Sequence, residues 1–149
     1  MKIVEISSKY DIQRFHDLPF LIYKNDPNWI AHIKQEVEVV FNPKKNKYFE
    51  TGSATRFILE DEHGKIIGRV AAFIDGKRAN TFKQATGGMG FFECIEDKKA
   101  AFLLFDACKE WLSERDMEAM DGPINFGEKD RYWGLLVSGF NHPPIYANS

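Results

Sequence analysis

Cysteine is scarce in this sequence. Its 149 residues hold two, Cys94 and Cys108, and their spacing fits neither a zinc site nor a CxxC redox pair. A disulfide framework is excluded with them, and a reducing, cytoplasmic setting is the simplest expectation. Long apolar runs are missing too. No window approaches the about 18 consecutive apolar residues of a membrane span. The opening MKIVEISSKYD has neither the apolar core nor the cleavage site of a signal peptide, so no membrane partner is expected. Excess positive charge is also absent: 20 Lys and Arg stand against 22 Asp and Glu, for a net charge of −2. That balance argues against nucleic acid as a partner. The basic cluster Lys44, Lys45 and Lys47 follows Pro43 in a polar loop and reads as a solvated face. His16, His32, His63 and His142 are scattered without ligand spacing and read as solvated or loop residues, so no metal is expected. There is no internal repeat, low-complexity tract or interdomain linker.

What is present is an ordinary globular composition with unusual aromatic weight. Hydrophobic residues make up 44% and charged residues 28%, and 13 residues are Phe, which predicts an aromatic-rich core. A chain of this length buries roughly 68–70% of its unfolded surface and needs no metal or disulfide to fold. It reads as one domain, residues 1–149.

The organising stretch is Gly87 to Asn125. Gly87–Cys94 is apolar enough for a buried strand. Glu96 and Asp97 suit a helix start. Ala101, Leu104, Phe105, Cys108, Trp111 and Leu112 recur at helical spacing, with Asp106, Lys109, Glu110, Ser113 and Glu114 on the other face. Asp116 stands where a left-handed residue ends a helix. Met117–Met120 then reads as a second strand, parallel to the first. Such a crossover is right-handed and sets the helix start over the C-terminal edge of the first strand, where open α/β sheets bind ligands.

Upstream, Lys2–Ile6 alternates as a strand. Ser8 is a plausible N-cap, and Ile12 and Phe15 begin a helical face that reaches Leu18, where Pro19 is expected to break the helix or start another. Asn25-Asp26-Pro27-Asn28 is a strong turn. A helix is expected over Ile33–Phe41, with Ile33, Val37, Val40 and Phe41 inward, and a loop over Lys44–Gly52 anchored by Tyr48 and Phe49. Ala54–Glu60 and Lys65–Asp75 form a hairpin around Asp61-Glu62-His63-Gly64. Gly68 marks a bulge or a close backbone approach. The fold class is therefore mixed α/β, in the order β-α-α-β-β-β-α-β, with an antiparallel centre and one parallel crossover. Gly134–Phe140 is apolar, but the tail after it, with Pro143-Pro144, offers no further strand. The C-terminal strands are expected to be incomplete, the chain to be the N-terminal part of a longer protein, and the last edge to favour a homodimer or a marginally stable monomer.

This order resembles the front of the GNAT fold, the acyl-CoA-dependent N-acyltransferase superfamily. Leu18-Pro19, Tyr23-Lys24-Asn25-Asp26-Pro27-Asn28-Trp29, Gly68-Arg69-Val70-Ala71-Ala72, Gly90-Phe91-Phe92-Glu93-Cys94, Gly122-Pro123-Ile124-Asn125-Phe126 and Gly139-Phe140 look like a bacterial GNAT-like family of mostly uncharacterised, longer proteins. The resemblance implies a splayed parallel strand pair and an acyl-CoA co-substrate. It also implies transfer of an acyl group, such as acetyl, to a small-molecule or protein amine by direct attack on the thioester. One departure stands out. The Arg/Gln-x-x-Gly-x-Gly/Ala loop that holds the CoA pyrophosphate in such enzymes corresponds here to Ile95-Glu96-Asp97-Lys98-Lys99-Ala100-Ala101, which has no glycine. The alternative is a non-catalytic GNAT-like binding or scaffold module.

Within that frame, Glu93, Cys94, Ile95, Lys98, Lys99, Ala100, Ala101 and Asn125 are the expected cofactor-binding positions. The helix-start amides carry partial positive charge, and Lys98 and Lys99 add to that field; both ammonium groups extending into water is the plainer reading. Glu93, beside Phe91 and Phe92 at the strand end, is the candidate base for the amine proton; facing solvent or pairing with Arg56 or Arg69 is the plainer role. Cys94 reads more readily as a buried thiol than as a nucleophile. Tyr132 is the candidate acid for the departing thiolate, and Arg131-Tyr132-Trp133 could instead cover the sheet. Asn125 follows Gly122-Pro123, where strands that splay leave backbone groups for the amide-rich pantetheine arm, or it caps a turn.

Overall fold

The computed structural model describes residues 1–26, 34–50, 52–75, 85–122, 135–138 and 145–148. Among these residues seven strands form one sheet in the order of the chain: β1 (Lys2–Glu5), β2 (Ser53–Glu60), β3 (Ile66–Ile74), β4 (Thr86–Cys94), β5 (Ala119–Gly122), β6 (Leu135–Ser138) and β7 (Ile145–Asn148). β1 to β4 run antiparallel, β4 and β5 parallel, and β5 to β7 antiparallel again. The antiparallel centre and the single parallel crossover are as the sequence predicts. The C-terminal end differs from expectation. Leu135–Ser138 pairs on both sides, with β5 and with β7. The expectation that no strand follows Pro143-Pro144 is thereby corrected, and Pro143 and Pro144 themselves lie outside the described residues.

Among the described residues three α-helices cover the sheet: α1 (Lys9–Ile22) and α2 (Lys34–Val40) on one face, α3 (Lys98–Ser113) on the other. The alternation of β2 explains why both faces are covered. Phe57 and Leu59 join the core under α3, with Leu104, Cys108, Trp111 and Leu112. Ile58 points the other way, into a core with Phe15, Leu18 and Val37. In α3 the buried small residue is Ala100, while Ala101 is only half-buried. Truncating a fully buried leucine such as Leu104 to alanine costs about 2–5 kcal/mol.

Local chemistry sets the helix ends. The Ser8 hydroxyl accepts from the Asp11 amide at 3.1 Å and starts α1. Asp116, at φ 66, closes the turn after α3 in the left-handed region. Pro19 does not divide the helix as expected: it lies inside α1. A proline there leaves the carbonyl four residues back without its helical donor. That carbonyl belongs to Phe15, and it accepts from Arg69 Nη1 at 2.9 Å. A contact from the sheet replaces the missing bond.

Gly68 is a close approach and stands beside a bulge whose extra residue is Ile67. Register shifts between Leu59 and Glu60 beside it, and a Cβ there would stand 2.6 Å from Leu104 Cδ1.

Candidate functional site

β4 departs from both neighbours near its C-terminal end. Toward β5, the parallel register covers Thr86↔Ala119, Gly87↔Met120 and Gly88↔Asp121. From Gly90 to Cys94, β4 has no β5 partner among the described residues. Gly122 marks the last close approach: a Cβ there would lie 2.5 Å from the Met89 carbonyl oxygen.

Toward β3, pairing jumps from Ala71↔Gly90 to Arg69↔Glu93. Phe91 and Phe92 together face Val70, which is a β-bulge. Phe91 takes φ 52, a left-handed conformation uncommon for an aromatic residue. The bulge resets side-chain alternation. Phe91 packs on the α1 side with Phe15 and Phe41, at ring separations of 6.5 and 5.3 Å. Phe92 stacks on Phe105 of α3 at 4.9 Å. Glu93 therefore returns to the α1 face and Cys94 to the α3 face. In an unbroken strand the two would be exchanged.

On the α1 face, the Tyr23 hydroxyl donates to Glu93 Oε2 at 2.6 Å. Tyr23 is the C-cap of α1. Its hydrogen bond to Glu93, then its burial, push its pKa up to about 12, so it acts as a donor at neutral pH. Arg69 is buried beneath them at 4% exposure. Its Nε donates to the Phe91 carbonyl at 3.1 Å and its Nη1 to Phe15, and its guanidinium lies 4.5 Å from the Phe15 ring centroid. Burial lowers its pKa to about 10, against the opposing pull of Glu93 and Tyr23, and it stays charged. Glu93 thus takes its hydrogen bond from a tyrosine. Arg56, the other expected partner, is engaged by Glu38 at 2.5 Å.

The helix start has a different character. Ile95, Glu96 and Asp97 alone join β4 to α3. Asp97 Oδ1 accepts from the amides of Lys99 and Ala100 at 2.8 and 3.1 Å. Two donors on which an anion was expected are therefore filled by the chain's own carboxylate. Lys98 and Lys99 are exposed, as is Ile95. Cys94 is half-buried, and burial, then the Asp97 charge, raise its pKa; this is a thiol, not an activated thiolate. No group of metal-ligating side chains occurs among the described residues. His16, expected to be solvated, is instead buried, with Nε2 2.9 Å from Glu38 Oε1.

Glu93, Cys94, Ile95, Lys98, Lys99, Ala100 and Ala101 all follow the bulge, at one end of β4 and over its turn into α3. Asn125 and Tyr132 lie outside the described residues. Sequence reasoning missed Tyr23 and Arg69 as site residues. Arg69 had a signal: it is the charged residue in the otherwise apolar run Ile66–Ile74. Tyr23 had none beyond its place before a turn, because its meeting with Glu93 spans 70 residues.

No protein-family model matches the chain. It is 30% identical over 146 residues to the bacterial ceramide synthase of Caulobacter vibrioides, covering 97% of this chain and 38% of that protein. It is 28% identical over 140 residues to protein YghO of Escherichia coli, covering 92% of this chain and 34% of that one. The chain thus spans little more than a third of the curated relatives it matches. Among solved structures, it resembles a GNAT-family acetyltransferase from Staphylococcus aureus with TM-score 0.54 and 13% identity, over 80% of this chain and 69% of that one. It resembles the GCN5-related glucosamine N-acetyltransferase region of a fungal multi-domain β-N-acetylglucosaminidase with TM-score 0.61 and 14% identity, over 90% of this chain and 17% of that one. The bulged β4, its short parallel register with β5 and the crossing helix between them give the chain the fold of these two acetyltransferase structures.

Proposed function

We propose that this chain is the acyl-transfer domain of an acyl-CoA-dependent N-acyltransferase. The observation that carries the reading is the bulge in β4. It turns Glu93 toward α1 at the end of β4, where no β5 partner occurs among the described residues. An amide-rich acyl carrier would pair with that stretch of β4 as an added strand. Glu93, at the same point, would take the proton from an attacking amine directly or through one water. The amine nitrogen bonds to the thioester carbonyl, the C–S bond breaks, and the departing sulfur leaves as a thiol once protonated, a role that falls to Tyr132. Cys94 takes no covalent part.

The residues fit acyl-CoA unevenly. The β4 edge suits the pantetheine arm. The α3 start, with Asp97 on its amides, suits a diphosphate less well, so Lys98 and Lys99 would be the main anionic contacts. The Caulobacter relative bears the name of a ceramide synthase, and a ceramide is the amide of a fatty acid with a long-chain amino alcohol. A fatty acyl donor and an amphipathic amine are therefore the substrate classes to try first.

Titration calorimetry of the protein with acetyl-CoA and with longer acyl-CoAs below their micellar concentrations tests this. Saturable binding is expected for at least one donor. Glu93→Gln should keep that binding and slow amine-dependent thiol release by about a hundredfold to ten-thousandfold. No heat across the whole panel would remove the reading. It would favour a non-catalytic GNAT-like module, for which the Asp97-filled helix start is the supporting observation.

A further inference from the structure

We propose that Arg69 is the positioning residue of this site: it ties the carbonyl that Pro19 frees in α1 to the carbonyl of the bulge, and so fixes how β4 presents Glu93. The role assigned to Glu93 rests on the acyl-transfer reading above; the coupling itself does not.

A guanidinium is costly to bury unless its donors are met. Arg69 is buried on the α1 face of β3, and no ion pair engages it among the described residues. Its partners are two backbone carbonyls and one ring. Neither carbonyl is ordinary. Phe15 O would accept the amide of residue 19 in a regular helix, and Pro19 has none to give. Phe91 O belongs to the residue at φ 52, whose bulge leaves it out of the regular ladder. One rigid, planar fork reaches both. Two irregularities, one in a helix and one in a strand, are thus satisfied by a single side chain, and each leaves the acceptor that the other's partner needs.

The consequence for the site is directional. Glu93 lies two residues beyond Phe91, opposite Arg69 itself, and its donor Tyr23 caps the same helix four residues beyond Pro19. Fixing Phe15 O and Phe91 O together sets the spacing between the end of α1 and the end of β4, and Tyr23 and Glu93 meet across that spacing. A bulge free to slip by one residue would turn Glu93 toward α3.

The test is hydrogen exchange at the amides of Phe91–Cys94 in wild type, Arg69→Lys and Arg69→Met, with the amides of β2 as internal reference and acetyl-CoA titrated in parallel. Lysine keeps the charge but reaches one carbonyl; methionine fills space and donates nothing. Exchange at Phe91–Cys94 should rise about tenfold to a hundredfold in Arg69→Met relative to β2. Arg69→Lys should fall between, and acetyl-CoA affinity should weaken in the same order. If Arg69→Met does not fold, Arg69→Lys decides by itself. Uniform acceleration through all strands would mean a merely structural role and overturn the proposal, as would unchanged exchange at Phe91–Cys94. A wild type that binds no acyl-CoA but shows the local, graded change would sustain the Arg69 coupling and remove only the acyl-transfer reading.

Discussion

Cys108 Sγ lies 3.8 Å from the Ala71 carbonyl oxygen, fully buried between α3 and the sheet. Burial pushes its thiol far above the usual range, and the thiolate is the reactive form. Iodoacetamide at neutral pH should therefore leave Cys108 unmodified in the folded protein and alkylate it in denaturant. Peptide mass spectrometry reads the difference. Cys94, half-buried and also raised, should react more slowly than a free thiol but faster than Cys108. Equal rates for the two in the native protein would contradict the packing described. The same reasoning separates Glu93 from its neighbours: Phe91 and Phe92 are drawn into the two helix-covered cores, and Glu93 is left with a tyrosine hydroxyl.

The tight strand and helix contacts rank in cost. At Gly68 an added Cβ meets the methyl end of Leu104 at 2.6 Å; at Gly122 it meets the Met89 carbonyl oxygen, which is backbone, at 2.5 Å. A side-chain end can rotate and a strand carbonyl cannot. Gly122→Ala should destabilise by about 1–3 kcal/mol, and Gly68→Ala by less; thermal melts of the two variants give the order, and the reverse order would show that β5 yields more easily than α3. The start of α3 offers a second check. Asp97→Ala removes the acceptor for Lys99 and Ala100 and should cost about 0.5–2 kcal/mol of stability. It also frees two amides and removes a negative charge. If the CoA diphosphate binds there, Asp97→Ala should melt lower yet bind acetyl-CoA at least as tightly. Weaker binding would place the diphosphate elsewhere.

Across the whole molecule, α1, α2 and β2 are joined by one charged cluster: His16 and Arg56 both meet Glu38 Oε1, at 2.9 and 2.5 Å. Burial lowers the His16 pKa below its ordinary 6.5; Glu38 pulls it upward, and Arg56 and Arg69 add to the lowering. For Glu38, burial acts upward but is outweighed by the hydrogen bond and charge of Arg56 and then by His16, so its pKa falls below 4.5. The signs agree. Below pH 6.5 the unfolded histidine takes a proton that the folded one resists, so stability declines until the lowered folded value is reached. Below pH 4.5 the unfolded glutamate does the same. The melting temperature should fall in two acid limbs, and His16→Gln should flatten the upper one. An unaltered upper limb in that variant would assign it to other groups.

Much of this architecture was legible from local pattern. The period of Leu104, Cys108, Trp111 and Leu112 gave α3 its buried face, and the alternation in Phe57–Leu59 gave β2 its two sides. Asp97 and Ser8 were readable as caps, because a cap bonds to amides two or three residues away. The sequence alone determined these features, since the forces behind them act within a few residues of the chain. Tertiary structure alone decided that Pro19 stays inside its helix, that Phe91 turns left-handed, and that Glu93 rather than Cys94 faces Tyr23. Each depends on Arg69 meeting carbonyls from α1 and β4, 54 and 22 residues away. A buried cation takes whatever acceptors folding brings to it, and neither pattern nor spacing names them beforehand.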